Sequence, residues 1–194
     1  AAAAALLASL HPLRVHDAGN RTRLRWSGVR PLRSGGLAGL MKDTCRPGAS
    51  CRCAALVHGL GDTSLTWRRI LSGDADAPVP SGWRLVALDL PGTQASPAPP
   101  SPEGYVQPAQ ARALQAALSP LCPTWTVVGN SMGGWTAAWL ALQWPEGVER
   151  LILLSPAGLR DPSGDSESTA RTLASPDVAG LREFNKHVTH VERR

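Results

Sequence analysis

The chain has 194 residues, of which 43% are hydrophobic and 18% are charged, and its formal net charge is +5 at pH 7. This length is typical of one globular domain with a substantial core. Arginines supply most of the positive charge and are frequent near the N terminus, but no motif of alternating basic and aromatic residues is present. We therefore interpret them as a solvated basic face and expect no nucleic-acid partner.

The N-terminal residues bear on the membrane and on the compartment. Ala1 to Leu10 is apolar, but it is far shorter than the roughly 20 residues that cross a bilayer, so we expect no integral membrane segment. Because the chain does not begin with methionine, its true start is expected to lie upstream, and a targeting segment stays open. The compartment is therefore undetermined, with the cytoplasm favoured, and the oligomeric state is undetermined as well.

The chain contains four cysteines, which are Cys45, Cys51, Cys53 and Cys122. The spacing of the first three does not match the paired C-x2-C arrangement of common zinc sites. We therefore expect reduced thiols and no metal site, with a disulfide in the surrounding loop as the less favoured alternative.

The predicted elements begin with a β-hairpin over Leu13–Asp17 and Arg21–Trp26, where apolar and polar residues alternate on both sides of an Ala-Gly-Asn turn. The following segment, 27–52, is rich in glycine, proline and arginine and shows no sustained periodicity. We predict a long loop there.

Short apolar strands then alternate with helices. The strands are predicted at 53–57, 83–88, 125–128 and 148–154, and the helices at 66–71, 107–118 and 132–144. Continuous apolar strands are typical of parallel βαβ units, because such strands are covered on both faces. The predicted fold class is therefore α/β, a mostly parallel sheet with helices on both faces and an N-terminal β-hairpin.

The motif that carries chemistry is G-x-S-x-G between a strand and a helix, with Ser131 at its centre. This setting places a serine on a sharp strand-to-helix turn and exposes its hydroxyl as a nucleophile. Side chains at Gly129 and Gly133 would collide as the helix folds back over its strand. We expect Ser131 itself to have strained backbone geometry.

Other polar and glycine-containing turns also follow the predicted strands directly. They are His58-Gly59, Asp89 to Gly92 and Ser155-Pro156. Because the carboxyl ends of parallel strands meet at one edge of the sheet, these turns are expected to gather around Ser131.

These motifs, in this order, make the chain resemble the α/β-hydrolase family over about residues 10–160. The shared landmarks are the H-G turn with the downstream Trp67, the D-x-P-G turn, G-N-S-M-G-G at 129–134, and L-L-S-P-A-G-L at 153–159. The resemblance implies Ser131 as the nucleophile and an oxyanion hole formed by the backbone N–H groups of Leu60 and Met132. Each such donor is worth roughly 100- to 1000-fold in rate.

In this family the triad acid and the histidine base follow the nucleophile in sequence. The core (1–160) is expected to be partial, with its last strands missing, and the polar segment 161–194 resembles the start of an inserted lid. Asp161, His187 and His190 are the candidates for acid and base, and none of them occupies a position typical of the family. His58 belongs to the oxyanion turn, where its side chain is expected to be structural. The chain therefore lacks a credible triad.

We predict a serine hydrolase that cleaves a small apolar ester or related acyl compound through an acyl-enzyme on Ser131. It is expected to be incomplete and weakly active or inactive as this chain. G-N-S-M-G-G also resembles hydrolases that cleave carbon–carbon bonds, and a non-catalytic binding protein of the same fold is the third alternative. No dinucleotide fingerprint or phosphate loop is present, so we expect no cofactor.

Overall fold

The computed structural model describes residues 28–73 and 78–158 of the chain. The strands are β1 (Val29–Ser34), β2 (Leu37–Asp43), β3 (Arg52–Val57), β4 (Trp83–Leu88), β5 (Trp125–Asn130) and β6 (Val148–Leu154). The helices are α1 (Arg68–Ser72), α2 (Gln107–Leu118) and α3 (Met132–Gln143), and shorter 3-10 turns cover Ser64–Trp67, Pro102–Tyr105 and Pro145–Gly147. None of the helices in the described ranges has the length and apolar character that crossing a membrane requires.

All six strands belong to one sheet, in the order β1-β2-β4-β3-β5-β6. The pairs β4–β3, β3–β5 and β5–β6 are parallel, whereas β1 pairs antiparallel with β2, and β2 pairs antiparallel with β4. The predicted fold class is therefore confirmed: a mostly parallel α/β sheet with an antiparallel hairpin at its N-terminal side.

The hairpin lies at β1 and β2, so the prediction of a long loop over 27–52 is wrong. Gly35 and Gly36 have φ values of +52° and +83°, which is the backbone geometry of a tight two-residue hairpin turn. Residues 37–41 of β2 are buried because this strand is paired on both sides, by β1 and β4. Burial of consecutive residues removes the polar–apolar alternation by which a hairpin is recognised. The hairpin predicted over 13–26 lies outside the described residues.

The sheet has an apolar layer on each face, because neighbouring residues of each strand point to opposite sides. On one face, Ala55 and Val57 of β3 pack with Leu114 of α2 and Leu140 of α3. On the other face, Leu56 of β3 belongs to a second cluster with residues of α1 and of the turn before it. Parallel strands covered on both faces are the reason for the continuous apolar runs in the sequence.

The four cysteines form two disulfides, Cys45–Cys51 and Cys53–Cys122, with Cα–Cα separations of 5.6 and 6.5 Å. The prediction of reduced thiols is therefore wrong. The sheet brings the start of β3 beside the connection between α2 and β5, which pairs cysteines 69 residues apart in the chain. The ligand atoms of Asp43, Cys45 and Cys51 also lie within 4.8 Å of one another. Because the two sulfur atoms are bonded to each other, they are not the thiolates that hold a metal.

The outer strand β6 has large apolar side chains in contact with solvent. Leu151 and Leu153 are each 37% exposed, Ile152 is 45% exposed and Leu154 is 43% exposed. Among the described residues, β6 pairs only with β5, so its second edge has no strand beside it there.

The contacts between Cα atoms divide the chain into two units, Ala1–Ala157 and Gly158–Arg194. The first unit contains the whole sheet. The lid predicted over 161–194 lies outside the described residues and stays a prediction.

Candidate active site

Ser131 joins β5 to α3 in a conformation that is rare for a residue with a side chain, with φ 53° and ψ −122°. The strained backbone expected from the sequence is therefore present. The end of β6 fixes it: the Ser131 N–H donates to the carbonyl of Leu154 at 3.0 Å, and the Ser131 carbonyl accepts the N–H of Ala157 at 2.9 Å. The turn is thus held by neighbouring backbone, and the serine side chain is left out of these bonds.

The glycines on both sides of Ser131 allow the helix to approach its strand. A Cβ at Gly129 would lie 2.6 Å from the Cα of Gly134, and a Cβ at Gly133 would overlap the carbonyl oxygens of Val57 and His58. Real Cβ atoms do not approach that closely. The collisions expected from the sequence are therefore present, and they fix glycine at both positions.

The turn after β3 lies directly against the Ser131 turn. A Cβ at Gly59 would lie 3.3 Å from the Ser131 Cβ and 3.5 Å from the Asn130 Nδ2. The carboxyl ends of β3 and β5 therefore meet as the parallel sheet predicts.

The His58 side chain is fully buried and holds this turn in place. Its Nε2 accepts the backbone N–H of Leu90 at 3.0 Å, and its Nδ1 lies 2.8 Å from the carbonyl oxygen of Gly59. Since Nε2 is an acceptor, the ring proton is assigned to Nδ1, which donates to Gly59. Both ring nitrogens are thus engaged by the backbone, and His58 has none available to take a proton from Ser131.

The same hydrogen bond orients the peptide group between Gly59 and Leu60. Its carbonyl oxygen accepts from His58 and also from the N–H of Asp62 at 3.3 Å. In a trans peptide the N–H points away from the carbonyl, so the Leu60 N–H points away from the His58 ring.

The Met132 N–H lies at the first residue of α3, where the helix dipole favours negative charge. Within residues 28–73 and 78–158, no hydrogen-bond acceptor is found for the N–H of Leu60 or for that of Met132. These two donors are the ones predicted to form an oxyanion hole, and that role stays a prediction.

Asp89, after β4, connects the turns and is not a free acid. Its Oδ1 accepts the N–H of Ser64 at 2.7 Å, which ties the D-x-P-G turn to the segment that follows His58-Gly59. Its carbonyl oxygen accepts the Ser96 hydroxyl at 2.6 Å, and that hydroxyl also accepts the N–H of Ala38. Asp89 is 2% exposed, so its carboxylate is used inside the scaffold.

No histidine or carboxylate of the described residues is hydrogen-bonded to Ser131, and His58 is the one histidine in those ranges. Asp161, His187 and His190 lie outside them. The residue directly after β6 is Ser155, with φ 43°, so no carboxylate follows that strand immediately. The described part of the chain therefore contains the strained Ser131 turn and two N–H donors, but no histidine or carboxylate bonded to Ser131.

Trp135 places a large apolar side chain beside the Ser131 turn. It lies one helical turn after Ser131, and its N–H donates to the Ser131 carbonyl at 3.2 Å. Its side chain is 37% exposed, whereas Trp139 packs against the core. Leu60, in the facing turn, is 60% exposed, so both turns of the site carry apolar surface.

The chain belongs to the α/β-hydrolase fold family, since residues 56–184, more than half of its 194 residues, match the family model described as alpha/beta hydrolase fold. A 2-hydroxy-6-oxononadienedioate/2-hydroxy-6-oxononatrienedioate hydrolase of Escherichia coli K12 is 33% identical over 100 residues, covering 51% of this chain and 34% of that protein. An uncharacterized protein of Mycobacterium tuberculosis is 36% identical over 105 residues, covering 54% of this chain and 29% of that protein. The chain thus spans about a third of the length of these curated relatives.

Solved structures show the same fold. Cfl2 from Burkholderia cenocepacia superposes with a TM-score of 0.57 at 24% identity, over 84% of this chain and 57% of that protein. An epoxide hydrolase from Vigna radiata superposes with a TM-score of 0.55 at 22% identity, over 75% of this chain and 44% of that protein. At these identities the likeness is one of fold.

Proposed function

We propose that this chain carries the nucleophile and oxyanion half of a serine hydrolase, which acts on a small apolar ester or related acyl compound. The observation that supports it is the contact between two turns, with the strained Ser131 in one and the oriented Gly59–Leu60 peptide in the other. Acyl transfer requires a reactive serine beside N–H groups that can receive an oxyanion. The strained Ser131 and the N–H groups of Leu60 and Met132, which have no acceptor among the described residues, fit that requirement.

The chemistry follows from this placement. The Ser131 Oγ forms a bond to the acyl carbon, the carbonyl oxygen becomes an oxyanion on the N–H groups of Leu60 and Met132, and the alcohol departs when the intermediate collapses. Water then cleaves the acyl-enzyme to a carboxylic acid and restores the serine. A general base is needed to take the hydroxyl proton and to return it to the departing alcohol, and no histidine or carboxylate of residues 28–73 and 78–158 is hydrogen-bonded to Ser131.

Cleavage of a carbon–carbon bond next to a carbonyl is the second candidate. The identity of 33% to the Escherichia coli hydrolase named above favours it. The same N–H pair would stabilise an oxyanion formed from a ketone, so the turn geometry suits both reactions. Epoxide hydrolases are less well supported, because those of this fold use an aspartate where this chain has Ser131. A non-catalytic binding protein of the same fold is the remaining alternative.

A fluorophosphonate probe tests the nucleophile, since it forms a covalent bond only with an activated serine. We expect slow labelling of the 194-residue chain, faster labelling of any form extended downstream, and none after Ser131→Ala. Ser155→Ala is the matched control, because Ser155 also has a positive φ and follows a strand end, and its labelling should equal that of the wild type.

Labelling that survives Ser131→Ala would contradict the assignment of the nucleophile. No labelling of any form would favour the non-catalytic binding protein. Among labelled forms, hydrolysis of p-nitrophenyl butyrate supports ester cleavage, and turnover of a ring-cleavage diketone without ester hydrolysis supports the carbon–carbon reaction.

A further inference from the structure

A cavity of about 430 Å³ lies away from the proposed active site. It is lined by Arg69 and Ile70 of α1, by Val79 between two prolines, and by Trp83 and Leu85 of β4. Trp83 is the first residue of β4, whereas Ser131 follows the end of β5, and both strands run parallel to β3. Trp83 is level with Arg52 of β3, whereas Ser131 lies two residues beyond Gly129, which is level with Val57. The Trp83 end of the cavity is therefore about seven residues from Ser131 along the strand direction, roughly 23 Å at about 3.3 Å per residue.

One wall of this cavity is fixed in place by Thr44, which follows β2. The Thr44 hydroxyl lies 2.7 Å from the carbonyl oxygen of Pro80, to which it donates, and it accepts the N–H of Trp83 at 3.0 Å. The Thr44 N–H donates to the Trp83 carbonyl at 2.8 Å. The wall is thus held by bonds to a neighbouring strand, and a ligand would meet a surface that is already formed.

The lining combines apolar walls with positive charge. Val79 and Trp83 pack against the buried cluster that contains Leu85, while the exposed Arg69 stands at the cavity. The guanidinium of Arg52 lies 5.7 Å from the centre of the Trp83 ring, which places a second cation beside the same wall. Among the described residues, no carboxylate lines the cavity.

We propose that this cavity binds a small apolar molecule that carries one carboxylate. Its apolar body would lie between Ile70, Val79 and the Trp83 ring, and its carboxylate would pair with Arg69. The volume falls within the range of roughly 300–1,000 Å³ in which proteins hold small ligands. An arginine and a carboxylate form one of the stronger polar pairs in proteins, and the apolar walls select against fully hydrated anions.

Isothermal titration calorimetry with three ligands of one shape tests both halves of the proposal. The ligands are 4-phenylbutyrate, the neutral 4-phenylbutan-1-ol and the cationic 4-phenylbutylamine. We expect one saturable site that prefers the carboxylate. Arg69→Gln should weaken 4-phenylbutyrate roughly tenfold and leave the neutral alcohol within about twofold. Val79→Trp should abolish binding of both by filling the cavity.

Arg112→Gln is the matched control, because Arg112 is an exposed arginine on α2, on the other face of the sheet. The affinity of this variant for 4-phenylbutyrate should equal that of the wild type. Thermal melts of each variant identify any loss of fold. Ser131→Ala should bind like the wild type, so the result is independent of the proposed hydrolysis. The proposal would be overturned if Arg69→Gln and Arg112→Gln lost the same affinity for 4-phenylbutyrate, or if no ligand showed saturable binding.

Discussion

The His58 side chain is the residue on which the geometry around Ser131 depends most. It has no contact with a reacting atom in the proposed chemistry, but it joins the Leu90 N–H to the Gly59 carbonyl. It is therefore a positioning residue, which acts through the peptide that carries the Leu60 N–H.

Two substitutions separate this positioning role from stability. His58→Gln keeps an acceptor for the Leu90 N–H, whereas His58→Ala leaves that buried donor unpaired, at a cost of about 1–3 kcal/mol. We expect both variants to slow fluorophosphonate labelling of Ser131 by about tenfold, since both lose the donor to Gly59. Only His58→Ala should lower the free energy of unfolding by about 1–3 kcal/mol, as measured by urea titration.

Labelling rates equal to the wild type in both variants would contradict this role. Labelling that falls only in proportion to stability would show that His58 acts on the fold alone.

The strained turn at Ser131 is predictable from the sequence because its constraints are local: the flanking glycines, the strand before it and the helix after it lie within a few residues. The role of Ser131 as nucleophile stays a prediction. The partners of His58 are not predictable in this way. Leu90 lies 32 residues further along the chain, and neither its type nor its spacing indicates that its N–H meets a histidine. The base is unpredicted for another reason, since a triad is recognised by geometry and its candidates lie outside the described residues.

At the scale of elements, the strands β2 and β4 are joined by an ion pair as well as by backbone bonds. The carboxylate of Asp43 lies 2.9 Å from the guanidinium of Arg84, and both side chains are largely buried, at 26% exposure for Arg84 and 21% for Asp43. Arg84 also donates to the carbonyl of Leu121 at 2.6 Å. The Arg84 side chain therefore connects β2, β4 and the segment between α2 and β5.

Burial raises the pKa of Asp43, but the Cys45 N–H and the Arg84 guanidinium outweigh it, so the pKa lies below its ordinary value of 3.8. A lowered pKa means that this carboxylate stabilises the fold above that value, and the contribution is lost as the pH falls through the folded-state pKa. We expect Asp43→Asn to lower the free energy of unfolding by about 1 kcal/mol at pH 7. The difference from the wild type should narrow below about pH 4, as measured by urea unfolding at several pH values.

Glu149→Gln is the control for this pair, since its ion pair with Arg150 is 3.6 Å long with side chains 59% and 71% exposed. Its unfolding curve should match the wild type at pH 7. An Asp43→Asn effect that stays constant down to pH 3 would contradict the titration.

The hairpin shows why one element was placed wrongly from the sequence. β1 is an outer strand with exposed arginines and a proline, which is tolerated at a sheet edge. β2 is buried along most of its length. Neither strand has the alternation that identifies a hairpin, and only the Gly35-Gly36 turn marks it. The parallel strands β3 and β4 were predictable because burial on both faces leaves an apolar run in each.

At the scale of the whole molecule, one of the two disulfides ties distant parts of the chain together. Cys53–Cys122 closes a loop with a sequence separation of 69, whereas Cys45–Cys51 closes one of 6. A disulfide stabilises a fold chiefly by limiting the conformations of the unfolded chain.

Removing each disulfide in turn gives a graded prediction. Replacing Cys53 and Cys122 by alanine should lower the free energy of unfolding by about 4 kcal/mol, and replacing Cys45 and Cys51 should lower it by about 2 kcal/mol, because the entropy of the unfolded chain grows with loop length. Urea unfolding in the absence of reductant measures both. Added dithiothreitol should lower the free energy of unfolding of the wild type to that of the variant without cysteines. Equal stability with and without dithiothreitol would show that these bonds do not form in solution.

The outer strand β6 has a consequence for the behaviour of concentrated solutions. Its four exposed apolar side chains, and an edge that pairs with no other strand among residues 28–73 and 78–158, are a surface on which identical molecules attract one another. The net charge of +5 opposes that attraction only while few counterions screen it, since the Debye length falls from about 30 Å at 0.01 M salt to about 3 Å at 1 M. Salt therefore turns mutual repulsion into attraction, the osmotic second virial coefficient changes sign from positive to negative, and the protein is best stored in a dilute buffer.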